Sequence, residues 1–442
     1  MEERELPRAE DYFAYIGHEL DHQKIRRSPH YRYIVGGLFA PHNIDDRGDT
    51  VRMRLGVKPG LFTRGSLFRD VEIRGIAAHR KLAADPGSVV ALVPRHRTLY
   101  DYLLHMPTHH WFVNPEVMIL AGNNLFVSKY DYELRYFGGF MFLREDAVLG
   151  RKEKGLPPVK LSIKRYLDEV FPAYLRQQMF DGVGEGRLKR DLILYAGQEK
   201  NPDTGKRSGG RTKSGRIRNL SPIFFDKFKS LARSSETALY IAPVNISFSK
   251  YPDAPFVAHP VEHQGLVKTM RYVGEQHFVM KAYPRYAQTH FDAELEAVVR
   301  YGEPVRFTGE GIDSVRDTIA YAHELQRKIG LMETLFPTVF VYRTLDHEHS
   351  LSVPALGERA RLLYDRYCEQ GVDVSRISVR EGEMMPARDL VERSIRTLNC
   401  NPSMYIWGVR HDRFLGMRHG RVVSHDLKVQ AWYANTIRHL DP

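Results

Sequence analysis

Short apolar runs alternate with longer amphipathic stretches between residue 71 and about residue 307. The runs are rich in β-branched and aromatic residues, which is typical of buried strands. They cover residues 71–74, 89–93, 117–120, 140–144, 192–195, 239–247 and 298–301. Amphipathic spacing over residues 159–170 and 223–232 predicts helices between them. The alternation predicts an α/β fold with a core of mixed sheet flanked by helices.

The pattern changes on both sides of this core. Residues 8–20 predict an opening helix, while later residues show helical spacing over 313–329 and 353–370. A hairpin over residues 405–423, turning at His419-Gly420, and a last helix over 426–440 complete the pattern. We therefore predict three parts with helical N- and C-terminal additions. They are a mixed or helical N-terminal region (1–70), the α/β domain (71–310) and a mainly helical C-terminal region with a hairpin (311–442).

The charge of the chain indicates anionic partners. The 442 residues carry a net charge of +11, which favours nucleic acid, anionic lipid or phosphorylated small molecules. Residues 206–218 contain six lysines and arginines and no acid. A solvated loop commonly has this composition. However, Gly209, Gly210 and Gly215 allow backbone N–H groups to approach an anion closely.

Other classes of protein are disfavoured. The two cysteines, Cys368 and Cys400, lie far apart and form no CxxC pair, so neither a disulfide framework nor a zinc site is indicated. No secretory signal is seen, and no uncharged run reaches the length of about 18 residues that spans a bilayer. We expect a cytoplasmic protein that at most lies on a membrane surface.

The segment from His96 to Leu104 carries the most chemical information. His96 follows the apolar run 89–93, and Asp101 lies five positions later. A histidine at a strand end beside a carboxylate that orients it can act as a general base. The same residues also fit a helix-capping box in which Thr98 and Asp101 satisfy backbone N–H groups. Both interpretations remain open at this point.

The pair resembles the first motif, His-x4-Asp, of the glycerolipid acyltransferases. Further segments follow in the order of the glycerol-3-phosphate acyltransferase family: 138–144, which ends in Arg144, then 209–216, 241–248 around Pro243, and the Gly-Glu-Pro of 302–304. Residues 432–440 resemble a C-terminal family stretch, which we expect to be structural. The resemblance implies a glycerolipid acyltransferase-like core, with residues 71–310 as its catalytic domain.

The third of these motifs departs from the family form. The family has a glutamate where this chain has Ser208, and residues 197–207 form an insertion before the glycines. Glu199, within this insertion, is an alternative source of the carboxylate. The departure affects the identity of the acceptor rather than the class of reaction.

The resemblance implies transfer of an acyl group from acyl-CoA or acyl carrier protein to glycerol 3-phosphate on the inner face of the cell membrane. His96 would be the general base and Asp101 its orienting partner. The acceptor phosphate would be held by Arg144, Arg211, Lys213 and Arg216. Supporting roles fall to Arg97, Gly209, Gly210 and Pro243, although Arg97 could equally face solvent. No cofactor, metal or nucleic acid is expected.

Three alternatives accompany this hypothesis. The acceptor could instead be lysophosphatidate or dihydroxyacetone phosphate. The basic run and the C-terminal hairpin could belong to a nucleic-acid-binding protein. A metal site could use the histidines at 105, 109 and 110, or those at 347 and 349, but no cysteine or clustered acid completes either set.

Overall fold

The computed structural model is a mixed α/β structure. It describes residues 4–17, 41–55, 67–123, 126, 134–135, 138–181, 190–200, 207–209, 214–216, 218–259, 274–275, 282–283, 286–287, 290, 295–380, 382–399, 405–406, 409–410 and 414–441. None of the helices in these ranges is both long enough and apolar enough to cross a bilayer.

The strands, numbered in chain order, include ten that form one large sheet. They are β1 (Arg4–Glu5), β2 (Pro41–Asp46), β3 (Thr50–Leu55), β4 (Phe68–Arg74), β5 (Ser88–Pro94), β6 (Val117–Gly122), β7 (Gly139–Phe142), β8 (Ala147–Arg151), β9 (Leu156–Leu161), β10 (Asp191–Ile193), β11 (Gly197–Lys200), β12 (Arg207–Gly209), β13 (Asn219–Leu220), β14 (Ala238–Phe248), β15 (Leu295–Tyr301), β16 (Val305–Arg306), β17 (Ser350–Ser352), β18 (Ser378–Arg380), β19 (Glu383–Met384), β20 (Tyr405–Ile406), β21 (Val409–Arg410), β22 (Leu415–Arg418) and β23 (Arg421–Ser424).

The helices flank this sheet and fill the C-terminal region. They are α1 (Phe13–Ile16), α2 (Ala77–Ala84), α3 (Tyr100–Phe112), α4 (163–180, with π-helical turns at Tyr166–Val170 and Arg176–Phe180), α5 (Pro222–Arg233), α6 (Ala254–Ala258), α7 (Val315–Leu331), α8 (Pro337–Leu345), α9 (Val353–Glu369), α10 (Ala387–Asn399) and α11 (Leu427–Ile437). Single 3₁₀ turns lie at Glu10–Tyr12, Lys152–Lys154 and Arg438–Leu440.

The large sheet has the strand order β2-β3-β4-β15-β14-β5-β10-β6-β7, and β16 pairs with β14 beside β15. Strands β14, β5, β10, β6 and β7 are mutually parallel, whereas β15 runs antiparallel to β14. The carboxyl ends of the five parallel strands therefore lie along one edge of the sheet. Ligands of open α/β sheets bind outside this edge.

Strand β5 is buried on both faces. Val90 and Leu92 belong to one apolar cluster, and Val89, Ala91 and Val93 belong to the other. An uninterrupted apolar run is the sequence pattern of such a strand. The first cluster also contains C-terminal side chains, including those of Leu356 and Trp432, so residues after 311 pack against the same sheet.

The strands predicted from apolar runs are confirmed, as are the helices near 223–232, 313–329, 353–370 and 426–440. The hairpin turn is also confirmed, because β22 and β23 pair around His419 and Gly420, which both have positive φ. Residues 405–410 form a separate short pair, β20 with β21. The three proposed part boundaries stay predictions.

Two predicted helices differ from the structure. The helix predicted over 159–170 begins only at Ile163, because residues 159–161 alternate between buried and exposed positions and complete β9. The opening helix predicted over residues 8–20 runs from Glu10 to Ile16; residues 8–9 are not helical, and residues 18–20 lie outside the described residues. Sequence periodicity did not predict α2, α8 or α10.

Candidate functional site

The site lies at the carboxyl end of β5. This strand ends at Pro94, and His96 follows two residues later. Nδ1 of His96 lies 3.1 Å from Oδ2 of Asp101, in the first turn of α3. The Asp101 side chain is fully buried, while the His96 side chain is 16% exposed. The ring of His96 therefore bonds inward through Nδ1 and still reaches solvent.

Asp101 also holds the backbone of the loop before α3. Its Oδ2 accepts hydrogen bonds from the N–H groups of Arg97 and Thr98, at 2.5 and 2.8 Å. The capping and orienting interpretations of Asp101 are thus compatible. The His96 ring and both backbone N–H groups bond to Oδ2, whereas Oδ1 has no hydrogen-bond partner among the described residues.

A second buried aspartate fixes the same helix terminus. Asp253 accepts a hydrogen bond from the Thr98 hydroxyl at 2.5 Å and another from the Leu99 N–H at 3.0 Å. Negative groups near a helix N-terminus satisfy its free N–H groups and the positive end of its dipole. Asp101 and Asp253 together hold the turn that carries His96 from both sides.

Tyr195 forms one wall of the site. It follows β10, the strand beside β5, and its ring centroid lies 4.7 Å from that of His96. Its hydroxyl is buried and has no hydrogen-bond partner among the described residues. Burial, followed by the nearby charge of Asp101, raises the pKa of Tyr195 well above its usual value. The phenol consequently stays protonated at neutral pH.

Arg97 does not face solvent, so that interpretation of the sequence is wrong. Its side chain is fully buried and pairs with both carboxylate oxygens of Glu333, at 2.9 and 3.0 Å. It also donates to the carbonyl of Ile246 on β14. Only the backbone N–H of Arg97 contacts the His96–Asp101 pair. Its contact with the pair is thus a backbone hydrogen bond to the aspartate, while its guanidinium is occupied by Glu333 and Ile246.

The third motif is described only in part. Gly210, Arg211 and Lys213 lie outside the described residues, while Gly209 ends β12. Register places Glu199 of β11 opposite Ser208, the position where the family has a glutamate. Arg216 is exposed.

Residues 214–216 are held by the C-terminal helix α11. Asn435 donates to the carbonyl of Ser214 at 2.9 Å. Gly215 has φ +80°, and a Cβ there would lie only 2.1 Å from the carbonyl oxygen of Trp432. The expected structural role of residues 432–440 therefore includes a direct contact with the third motif.

Arg144 lies after β7, on the edge of the sheet that carries His96, and it is exposed. Strands β10 and β6 separate β5 from β7. Three spacings of about 4.8 Å place the ends of β5 and β7 roughly 14 Å apart. Arg144 thus faces the same edge of the sheet without contacting the histidine.

Pro243 lies in β14, which is a central strand and not an edge strand. The carbonyl of Pro243 accepts from the N–H of Gly302 at 2.8 Å, in the turn between β15 and β16. The N–H and C=O of a strand residue point to the same side of the strand. The side of Pro243 that lacks an N–H therefore faces the gap between β15 and β16, where no strand residue needs that donor. The Gly-Glu-Pro segment forms this turn.

The histidines proposed for the alternative metal site make different contacts from one another. His109 pairs with Asp191 at 3.1 Å, and neither ring nitrogen of buried His105 has a hydrogen-bond partner in the described chain. No group of three or more potential metal ligands occurs among the described residues.

Sequence reasoning missed three residues of this site: Glu333, Asp253 and Tyr195. Glu333 lies 236 positions after Arg97, so no local spacing connects the two. The sequence feature that could have indicated a buried acid such as Glu333 is the pair of arginines on either side of His96. Arginines next to a buried strand need a counter-charge, although the sequence does not identify which carboxylate provides it.

Comparisons with known proteins are sparse. No family model matches the chain, and no curated protein matches it. Among solved structures, it is similar to the 1-acyl-sn-glycerophosphate (LPA) acyltransferase PlsC from Thermotoga maritima. The TM-score is 0.30 and the identity 14%, covering 60% of this chain and 72% of that chain.

Proposed function

We propose that the protein is an O-acyltransferase that moves a fatty acyl group from acyl-CoA or acyl carrier protein to the primary hydroxyl of glycerol 3-phosphate. The observation that carries the proposal is the hydrogen bond from Nδ1 of His96 to buried Asp101. With Nδ1 protonated and held, Nε2 is the ring atom that accepts a proton. This is how a histidine is prepared for general-base catalysis.

In the proposed reaction, the acceptor hydroxyl adds directly to the acyl thioester. Nε2 of His96 takes the proton of the acceptor hydroxyl as its oxygen attacks the thioester carbonyl. The tetrahedral intermediate collapses, the C–S bond breaks, and the departing thiolate receives a proton from the imidazolium. Asp101 stabilises the imidazolium while it exists. No serine or cysteine nucleophile is required, so no acyl-enzyme forms.

The acceptor phosphate is the proposed ligand of Arg144, Arg211, Lys213 and Arg216. Arginine offers a planar fork of donors that matches phosphate oxygens. Glycines at 209 and 210 carry no Cβ that would keep the phosphate from neighbouring backbone N–H groups. Binding of the phosphate by these side chains would determine which acceptor hydroxyl lies next to Nε2 of His96 and is deprotonated.

The proposed location is the cytoplasmic face of a membrane, where acyl donors and lipid products meet. The net charge of +11 supports binding to an anionic surface. No nucleic acid is part of the proposal.

The test is thioester cleavage by the purified full chain with palmitoyl-CoA, in the presence and absence of glycerol 3-phosphate. We expect thiol release to depend on the acceptor and to yield one acylated product per thiol. Release that is independent of any acceptor would contradict acyl transfer. A much higher kcat/KM with lysophosphatidate or dihydroxyacetone phosphate would overturn the acceptor but keep the reaction class. Salt-dependent DNA binding without turnover would support the nucleic-acid alternative.

A further inference from the structure

Glu333 lies between two arginines that flank the proposed base. Arg95 donates to its Oε2 at 3.1 Å, and Arg97 donates to both of its oxygens. The side chains of all three are at most 5% exposed. Glu333 follows α7, far in sequence from β5, so the contact joins the C-terminal region to the site.

The carboxylate of Glu333 is fully hydrogen bonded. Besides the arginines, Ser247 donates to Oε1 at 2.9 Å and Asn245 donates to Oε2 at 3.3 Å, both from β14. Burial alone would raise the pKa of Glu333, but the charges of Arg97 and Arg95 outweigh it and lower that pKa. The group is therefore an anion at neutral pH.

Each arginine leads to a different half of the site. The backbone N–H of Arg97 donates to Asp101, the partner of His96. The guanidinium of Arg95 donates to the carbonyl of Gly215 at 3.0 Å, within the third motif. One carboxylate thus fixes the general base through one neighbour and the proposed phosphate-binding loop through the other.

The charges explain why the arrangement depends on Glu333. Two buried guanidinium groups repel each other, and burial together with Arg97 lowers the pKa of Arg95 to about 9. A buried ion pair that loses one partner leaves an uncompensated charge. Without the carboxylate, Arg95 and Arg97 would separate and move the segments that they hold.

We propose that Glu333 is a positioning residue that sets the spacing between the base and the acceptor-binding loop 214–216. The proposal rests on the proposed function, because that function assigns the two segments their roles. Glu333 itself contacts no reacting atom. Its effect passes through Arg97 to Asp101 and through Arg95 to Gly215.

The two connections predict different kinetic effects. Arg95→Met should raise the acceptor KM about tenfold or more and leave kcat within about twofold, because it releases loop 214–216 while Arg97 keeps both of its bonds to Glu333. Arg97→Met should lower kcat on the order of 100-fold with little change in acceptor KM, because it frees the turn whose backbone N–H at Arg97 donates to the Asp101 carboxylate. Glu333→Gln should show both effects. Glu324→Gln, which removes a charge from an exposed pair on α7, is the matched control and should show neither.

Two readouts do not depend on turnover. In wild-type protein, the nitrogen NMR shifts of His96 should show the Nδ1-protonated tautomer, and hydrogen exchange at residues 214–216 provides the reference rate. Glu333→Gln should accelerate the exchange and mix the tautomers at unchanged circular dichroism. These readouts remain valid if the chain proves not to be an acyltransferase.

The outcomes separate the two claims. Absent turnover with the expected exchange and NMR changes would overturn the proposed function but keep the structural link. A folded Glu333→Gln variant with wild-type exchange, tautomer and kinetics would overturn the positioning role. Equal changes of kcat and KM in the Arg95→Met and Arg97→Met variants would also overturn it, since they would indicate a general loss of packing.

Discussion

Oδ2 of Asp101 accepts a hydrogen bond from Nδ1 of His96 at 3.1 Å and also holds two backbone N–H groups of the same turn. The histidine and the loop that carries it therefore share one anchor. Because the aspartate is fully buried, water does not compete for these bonds.

Asp101→Asn should separate the catalytic role of Asp101 from its capping role. The amide oxygen can still accept from the backbone N–H groups, so we expect the circular dichroism spectrum to persist. The amide cannot stabilise an imidazolium or hold the tautomer as a carboxylate does. The kcat should therefore fall on the order of 1,000-fold or more.

The matched control for this substitution is Asp317→Asn. Asp317 is the acid of the capping box at the start of α7, on the surface. It should lose some helix stability and keep full activity. The measurement is the kcat of Asp101→Asn and of Asp317→Asn at one pH. Equal kcat values would show that Asp101 has no catalytic role.

Gly215→Ala should displace the third motif from α11. A Cβ at this position would lie 2.1 Å from the backbone oxygen of Trp432, so the loop or the helix has to move. We expect the acceptor KM to rise about tenfold or more, with a smaller effect on the KM of the acyl donor.

The control for Gly215→Ala is Gly371→Ala. Gly371 has a similar positive φ of +70°, but a Cβ there would meet no atom within 4 Å. Both variants carry the same backbone strain, and only the first creates a collision. If the two variants showed the same acceptor KM, the contact with α11 would have no functional effect.

Arg144→Ala and Arg216→Ala should weaken acceptor binding more than donor binding. Both arginines are exposed and sit at the proposed phosphate end of the site. Loss of one charge-assisted hydrogen bond predicts an increase in acceptor KM of roughly 10- to 100-fold. Arg380→Ala, at an exposed position on β18, is the control. Equal effects on acceptor and donor KM would argue against a phosphate site.

Stability should fall as the pH drops below about 6.5. Burial, opposed by the bond to the Gly302 carbonyl, lowers the pKa of His79 to about 4. The unfolded chain binds this proton at a higher pH than the folded chain, so protonation of His79 favours unfolding. The free energy of unfolding is therefore unaffected by His79 above pH 6.5 and falls as the pH drops towards 4. His79 alone should cost about 2 kcal/mol of unfolding free energy by pH 5.

Urea unfolding at pH 7.5 and pH 5 would measure this effect. His79→Gln should reduce the difference between the two pH values, while exposed His347→Gln should leave it unchanged. The difference should not vanish, because burial also lowers the pKa of His439 to about 3. An unchanged difference in the His79 variant would show that His79 does not carry the effect.

The sequence predicted those features that depend on neighbouring residues. The central strands were recognisable because each is buried on both faces and reads as a continuous apolar run. The His96–Asp101 pair was recognisable because its spacing is local and its residue types suit a base. The sequence also showed that Ser208 departs from the family pattern, and the hairpin register now places Glu199 opposite it.

The features that the sequence did not predict depend on contacts between distant segments. Glu333 and Asp253 reach the site from more than 150 positions away along the chain. The burial of Arg97 could not be inferred either, because an arginine next to a strand end usually faces solvent unless a distant carboxylate pairs with it. Residue spacing alone carries no information on such pairings.

The most direct test of the account compares the rate of glycerol 3-phosphate acylation by the wild-type chain and by His96→Ala at saturating substrates. The variant should keep its fold and lose about 100- to 10,000-fold in kcat, the usual contribution of a general base. A folded His96→Ala protein that acylates glycerol 3-phosphate at nearly the wild-type rate would contradict the assignment of His96 as the base.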